Sequence, residues 1–184
     1  MNWTLITIIV IIALIVIWVI SVYNSLVQLR NAVKDQWSQI DVHLKRRADL
    51  IPNIVETVKG YAGHEKGTLE AVINARNKAV SATTKEEEMN ANGELTGALS
   101  RLFALTEAYP ELKANTNFLE LQKMLQETED KISFARQFYN DSVLKYKNKL
   151  EMFPTNIIAN IFGFKPEMFF EATSTEKEVP KVKF

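Results

Sequence analysis

The sequence predicts an all-α protein, an N-terminal transmembrane helix that continues into an elongated antiparallel helical bundle with coiled-coil-like packing. Three observations carry that expectation. Residues 1–23 contain no Asp, Glu, Lys or Arg. Beyond them, apolar residues recur at steps of three and four, the spacing of one face of a helix. A near-seven-residue apolar repeat then runs through 118–150, the pattern of a coiled-coil seam.

The first element is the span. Residues 3–23 read WTLITIIVIIALIVIWVISVY, about 21 residues, or roughly 30 Å of helix, the thickness of a hydrocarbon core. Trp3 at one end and Trp18 with Tyr23 at the other fit interfacial aromatic belts. A cleaved signal peptide is the rival. It needs a basic start, a shorter apolar stretch and a small-residue cleavage site, and this segment shows none of them. Lys and Arg collect after the span, at Arg30, Lys34, Lys45, Arg46 and Arg47. The positive-inside bias therefore favours an outside N-terminus and a cytoplasmic domain.

Past the span, Leu26, Leu29, Val33, Trp37, Ile40, Leu44, Ala48 and Ile51 form one stripe with no Gly or Pro before Pro52. The membrane helix should therefore run unbroken into the first bundle helix. Pro52 removes a backbone donor and is expected to kink that helix. Ile54, Val55 and Val58 keep the pattern going, so the turn belongs at Gly60-Tyr-Ala-Gly63. A second helix is expected over about Glu65–Val80, with Leu69, Val72, Ile73, Arg76 and Val80 inward or nearly so. Thr83 and Thr84, followed three residues on by Glu86 and Glu87, read as a capping box opening a third helix. Leu95, Leu99, Leu102, Phe103, Leu105 and Tyr109 form its apolar side, and Pro110 closes it.

Asn117-Phe-Leu-Glu120 reads as a second capping box, starting the longest soluble helix. Phe118, Leu121, Leu125, Ile132, Ala135, Tyr139, Val143, Tyr146 and Leu150 make its seam. Pro154-Thr155 opens a short apolar helix from Ile157 to Phe162 that ends at Gly163, and the aromatic stretch 162–170 should pack back on the bundle. The domain division is a transmembrane anchor at 1–23, a bundle domain at 24–171 and a C-terminal tail at 172–184. That tail is expected to be flexible or to dock through Val179, Val182 and Phe184.

Composition excludes several classes of function. The chain has no net charge and so lacks the basic excess that nucleic acid demands. With no Cys there can be no disulfide framework, thiolate nucleophile, thiolate metal site or lipidated N-terminal Cys.

The block Tyr23-Asn24 to Asn31, Trp37, and Asp41-Val-His-Leu-Lys45-Arg46-Arg47-Ala-Asp49-Leu-Ile-Pro52-Asn53, followed by Val55-Glu56 and Tyr61 to His64-Glu65, closely resembles the bacterial LemA family. Ala75-Arg76, Tyr109-Pro110-Glu-Leu112, Asn140 and Pro180-Lys-Val-Lys-Phe184 resemble it too. The resemblance implies a bacterial membrane protein with an N-terminal anchor, a helical soluble domain and no established enzymatic activity. It also implies relatives associated with envelope homeostasis, sometimes alongside membrane proteases, and with magnetosome membrane formation.

Candidate chemistry is thin. His64-Glu65 suggests zinc, but a zincin needs a second His four residues on, and position 68 is Thr. Asp41, Asp49, Glu56 and Glu65 could supply paired carboxylates for hydrolysis or hold a hard cation. Lys45, Arg46 and Arg47 lie among them, so structural ion pairs are the plainer reading. On a continuous helix that basic run stands roughly 35 Å beyond Tyr23, too far to hold anionic lipid across a screening length of about 8–10 Å. It is expected to form an intramolecular or intersubunit charge network. Trp37 and the Phe and Tyr positions read as core. No catalytic, cofactor-binding or metal residue is expected; the expected partners are the lipid bilayer through 3–23, further copies of this chain and a partner membrane protein, with no nucleic acid. The sequence therefore favours a non-enzymatic, self-associating scaffold in envelope organisation, with an adaptor or regulator of a partner such as a membrane protease as the alternative.

Overall fold

The computed structural model describes residues 3–170, which form six helices with no strand among them. The predicted tail at 172–184, with its docking residues, lies outside the described residues. The helices are α1 (Trp3–Tyr61), α2 (Lys66–Ser81), α3 (Lys85–Thr106), α4 (Pro110–Lys113), α5 (Thr116–Glu151) and α6 (Thr155–Ile161). The 59-residue α1 carries the expected span directly into the first bundle helix and passes through Pro52 to Tyr61. Its N-terminal part is long and apolar enough to cross a membrane.

Two compact units share these helices, among the described residues one of 3–38 with 136–169, the other of 39–135 with Phe170. In the first unit Val22, Leu26, Val33 and Trp37 of α1 are buried, as are Tyr139, Val143 and Tyr146 of α5. The Trp37 and Tyr139 rings meet edge-on at 5.2 Å. The Tyr139 hydroxyl donates to the Met168 carbonyl at 2.8 Å. Burial, with Glu167 nearby, pushes that phenol up to about 12.

α6 ends in a Schellman turn, with Gly163 N donating to Asn160 O and Phe164 N to Ala159 O. Gly163 takes a φ of 69°, which side chains with a Cβ resist. The turn carries Phe162 and Phe164 to Tyr23, at ring separations of 5.0 and 5.6 Å, and Arg30 stacks over Phe164 at 5.3 Å.

The second unit is an up-and-down four-helix arrangement. Arg76 of α2 donates to the Ala48 carbonyl of α1, Lys78 of α2 pairs with Glu94 of α3, and Phe103 of α3 meets Phe118 of α5. Each pair links residues on the two sides of a short connecting turn, as neighbouring antiparallel helices require. Leu50, Ile51, Ile54, Val58, Leu69, Val72, Leu95, Leu99, Leu102, Phe118 and Leu125 make the core, and Leu112 of α4 closes it.

The capping box at Thr84 and Glu87 forms as expected. Bonds from the Thr83 amide and hydroxyl, then from the Thr84 amide, hold the Glu87 carboxyl below its ordinary range.

Four expectations are corrected. The box expected at Asn117 is replaced by Asn115, whose side chain accepts from Phe118 N and donates to the Tyr61 hydroxyl. An Asn that caps α5 while tying it to α1 does two jobs that Asn117 cannot do from inside the helix. Pro110 does not close α3, which ends at Thr106, but opens α4 at its first position, where a missing N–H costs nothing. Ile73 and Val80 face outward, because the inward edge of α2 is filled by Leu69 and Val72 with Ala75 and Ala79 beside them.

Candidate functional site

The most concentrated chemistry among the described residues lies in the second unit, where α3 meets α1 and α5. The inward stripe of α1 continues Ile40, Leu44, Arg47, Ile51, placing a guanidinium where the repeat calls for an apolar side chain. Arg47 is 0% exposed. Its Nη1 donates to both oxygens of Glu129, at 3.0 and 3.2 Å, and to Thr96 Oγ1 at 3.1 Å. Its Nη2 donates to the Asn92 carbonyl at 3.2 Å and to Asn92 Oδ1. Asn92 and Thr96 are one turn apart on α3, so both reach the same cation. The Glu129 side chain stays 31% exposed and lines a cleft of about 400 Å³ with Thr96, Ser100, Gln122 and Gln126.

One turn back on α3, Asn92 Nδ2 donates to the Glu88 carbonyl at 2.8 Å. The Glu88 carboxyl shares a hydrogen bond with that of Asp41 on α1. Burial, followed by the neighbouring Asp41 charge, pushes Glu88 up to about 7. Burial likewise raises Asp41, opposed by its bond to Glu88 and by Lys85. Two carboxyls so placed hold one proton between them near neutral pH. The polar layer thus reads Asp41–Glu88–Asn92–Arg47–Thr96–Glu129, a polar connection of three helices inside an apolar bundle.

The structure separates the residues singled out from sequence. Asp49 and Glu56 are exposed, Glu56 pairing with Lys59 at 3.6 Å. His64 is exposed at the α1–α2 turn. Glu65 precedes α2 and accepts from the Tyr109 hydroxyl at 3.4 Å. Asp41 and Glu56 are 15 residues apart on one helix, about 22 Å, so the four carboxylates form no common site. Among the described residues no group of three or more His, Asp or Glu is placed to hold a metal ion.

The basic run also divides, with Lys45 and Arg46 exposed and Arg47 inside. The expected pairing of that run with Asp41, Asp49, Glu56 or Glu65 is corrected for Arg47. Its anion is Glu129 on α5, because Arg47 points across the bundle rather than along α1. Glu88, Asn92, Thr96 and Glu129 were not foreseen. The available signal was a charge at an inward position of the α1 stripe, which requires a buried partner on a facing helix.

A second feature of this unit is an open groove of about 1030 Å³ between α2 and α3. Small residues floor it, among them Ala71, Ala75, Ala91, Gly97 and Ala98, and Lys78, Arg101, Glu87 and Glu94 stand on its rim.

The sequence profile of the LemA family matches residues 36–184. The chain belongs to the LemA family. Two magnetosome proteins of Paramagnetospirillum magneticum, MamQ 1 and MamQ 2, are each 25% identical to it over 175 residues. Each alignment covers 81% of this chain and 64% of the relative, so the chain spans less than two thirds of those proteins. Protein LemA of Metamycoplasma hominis is 27% identical over 158 residues, covering 84% of this chain and 71% of that one. In this LemA-family chain the profile takes in the whole polar layer and the groove, while the apolar start of α1 lies before it.

Proposed function

We propose that this chain is a non-catalytic, membrane-anchored scaffold that self-associates in bacterial envelope organisation, with its bundle on the cytoplasmic side. The observation that carries the reading is the α2–α3 groove. Its floor of small side chains leaves room for a helix to approach closely, and its rim carries Arg101 beside the Lys78–Glu94 pair and the Glu87 that caps α3. A surface carrying both signs is complementary to its own copy under a two-fold axis, the commonest symmetry of homo-oligomers. Anchoring raises the local concentration of copies in the plane of the bilayer, so even a modest contact assembles them. Relatives named as magnetosome proteins fit a structural role better than turnover of a metabolite. The polar layer supports the same reading, because its one buried cation is held by its own chain's oxygens.

The test is the mass and composition of the intact complex after mild-detergent extraction from native membranes. Several copies of this chain alone are expected. A Cβ at Gly97 would meet nothing within 4 Å, so Gly97→Leu fills the groove without disturbing the fold and should release monomers. A monomer in the unaltered chain sinks the scaffold, and a defined second protein in its place establishes the adaptor reading.

A further inference from the structure

The short helix α6 and the turn before it present apolar side chains that the protein leaves uncovered. Ile158 and Ala159 face inward, whereas Phe153 is 80% exposed, Ile161 69% and Phe162 52%, with Met152 and Ile157 also outward. Apart from Asn156 and the exposed Asn160, α6 is apolar on its outer side too, and such a surface needs an apolar medium. Its height in the molecule identifies the medium. Tyr23 is the last residue of the apolar span, and the rings of Phe162 and Phe164 lie against it at 5.0 and 5.6 Å. Side chains that touch the end of a span lie at the level of the headgroups, where aromatic residues concentrate. The surrounding chain has matching charge. From 145 to 167 it carries Lys145, Lys147, Lys149 and Lys165 against Glu151 and Glu167, and Lys147 stands over the Phe169 ring at 5.9 Å.

We infer that α6 with Met152 and Phe153 is a second membrane contact, an interfacial wedge whose outer side chains enter the lipid beside the end of the transmembrane segment while the neighbouring lysines meet anionic headgroups. The occupant of this face is the bilayer itself. The expectation that the run at 45–47 stands too far from the membrane to meet lipid is unchanged by this; the lysines of the wedge are others, Lys145, Lys147, Lys149 and Lys165. This inference rests on the membrane-anchor reading of residues 3–23.

The chain has no Cys, which allows single nitroxide labels to be placed without background. Ile161→Cys, Phe153→Cys and Ile157→Cys would be labelled one at a time in the full chain, reconstituted in phosphatidylcholine vesicles containing a minority of phosphatidylglycerol. Ile12→Cys serves as the label inside the span and the exposed Val80→Cys as the aqueous reference. Collision with oxygen and with a water-soluble nickel chelate reports depth. Labels at 161, 153 and 157 should collide with oxygen in preference to nickel, at about 5–10 Å below the headgroup boundary, with Ile12 deeper. If those three labels match Val80 while Ile12 is in lipid, the wedge is refuted and the anchor stands. If Ile12 also matches Val80, the anchor reading falls and the wedge with it. Dipolar broadening at Ile161 that disappears on dilution with unlabelled chain would assign this face to a second copy and overturn the inference.

Discussion

Arg47 shows how one residue can decide the arrangement of several helices. A buried guanidinium is tolerable only while its anion and acceptors stay in place, and here they come from α3 and α5. The two ends of the pair are unequal, since Arg47 is enclosed and Glu129 reaches solvent. Glu129→Leu removes the carboxylate that the buried Arg47 Nη1 holds and is expected to cost about 3–5 kcal/mol, a fall in Tm of roughly 10 °C. Arg47→Met leaves a carboxylate that water can reach and should cost less. The double variant should recover most of the loss, and thermal melting of the full chain in detergent reads all three. If the double variant is no better than Glu129→Leu, the pair is not the unit that matters. The carboxyl pair carries a pH dependence of opposite sense to most surface acids. Glu88 sits at about 7 in the folded chain against an ordinary value near 4.5, so between those values the folded state binds the extra proton. Stability is therefore greatest below about 4.5 and falls as pH rises through 7. Glu88→Gln keeps a donor to Asp41 without the charge. Because Glu88 is only half-buried, the gain above pH 7 should be on the order of 1 kcal/mol after screening, about 2–4 °C in Tm. The gain should vanish near pH 4, and an equal gain at both ends would show that the pair does not share a proton.

At the level of the helices, periodicity made most of the architecture legible and local chemistry accounts for what it missed. The stripes of α1 and α5 were readable because each is long enough for a repeat to stand out from chance, and the seam of α5 is buried at Phe118, Leu125, Ile132, Ala135, Tyr139, Val143 and Tyr146. Thr128 is also buried in that seam, where its hydroxyl bonds back to the Met124 carbonyl. It escapes an apolar pattern because its polarity is satisfied within the helix. The two ends read differently for a related reason. Thr84 with Glu87 is a two-residue signature, whereas Asn115 caps through its own side chain alone, and its second bond, to Tyr61 54 residues away, is in no local pattern. In a 16-residue helix Ile73 and Val80 fit the spacing of the inward face of α2, yet both are exposed. The polar layer was the least legible part. Its members come from three helices, and only the position of Arg47 within an apolar stripe marks it. The seam itself is open to a direct test with Ile132→Asp. Ile132 is 1% exposed, so an unpaired carboxylate there should abolish the cooperative melt of the bundle, with a penalty of several kcal/mol. Retention of helicity and Tm would mean that the position does not face the core.

For the molecule as a whole, the distribution of charge about the span decides which side of the membrane the bundle occupies. Arg30 and Lys34 follow the apolar segment directly, and Lys45, Arg46 and Arg47 lie further along α1. The wedge at α6 would add Lys145, Lys147, Lys149 and Lys165 to the same side, which strengthens a bias that the linear sequence carries only weakly. Basic residues close to a span are retained in the cytoplasm, and the anionic lipids of that leaflet reward each one held within a screening length by about 1 kcal/mol. The absence of Cys makes the orientation measurable with one substitution. Val80 is 57% exposed on α2, away from the core and the polar layer, so Val80→Cys should fold as the parent does. A membrane-impermeant maleimide is expected to leave this variant unlabelled in intact bacterial cells and to label it fully once the membrane is permeabilised. Equal labelling before and after permeabilisation would place the bundle outside. The lysines beside α6 would then face the outer surface, and the envelope role proposed for this chain would have to be exercised there.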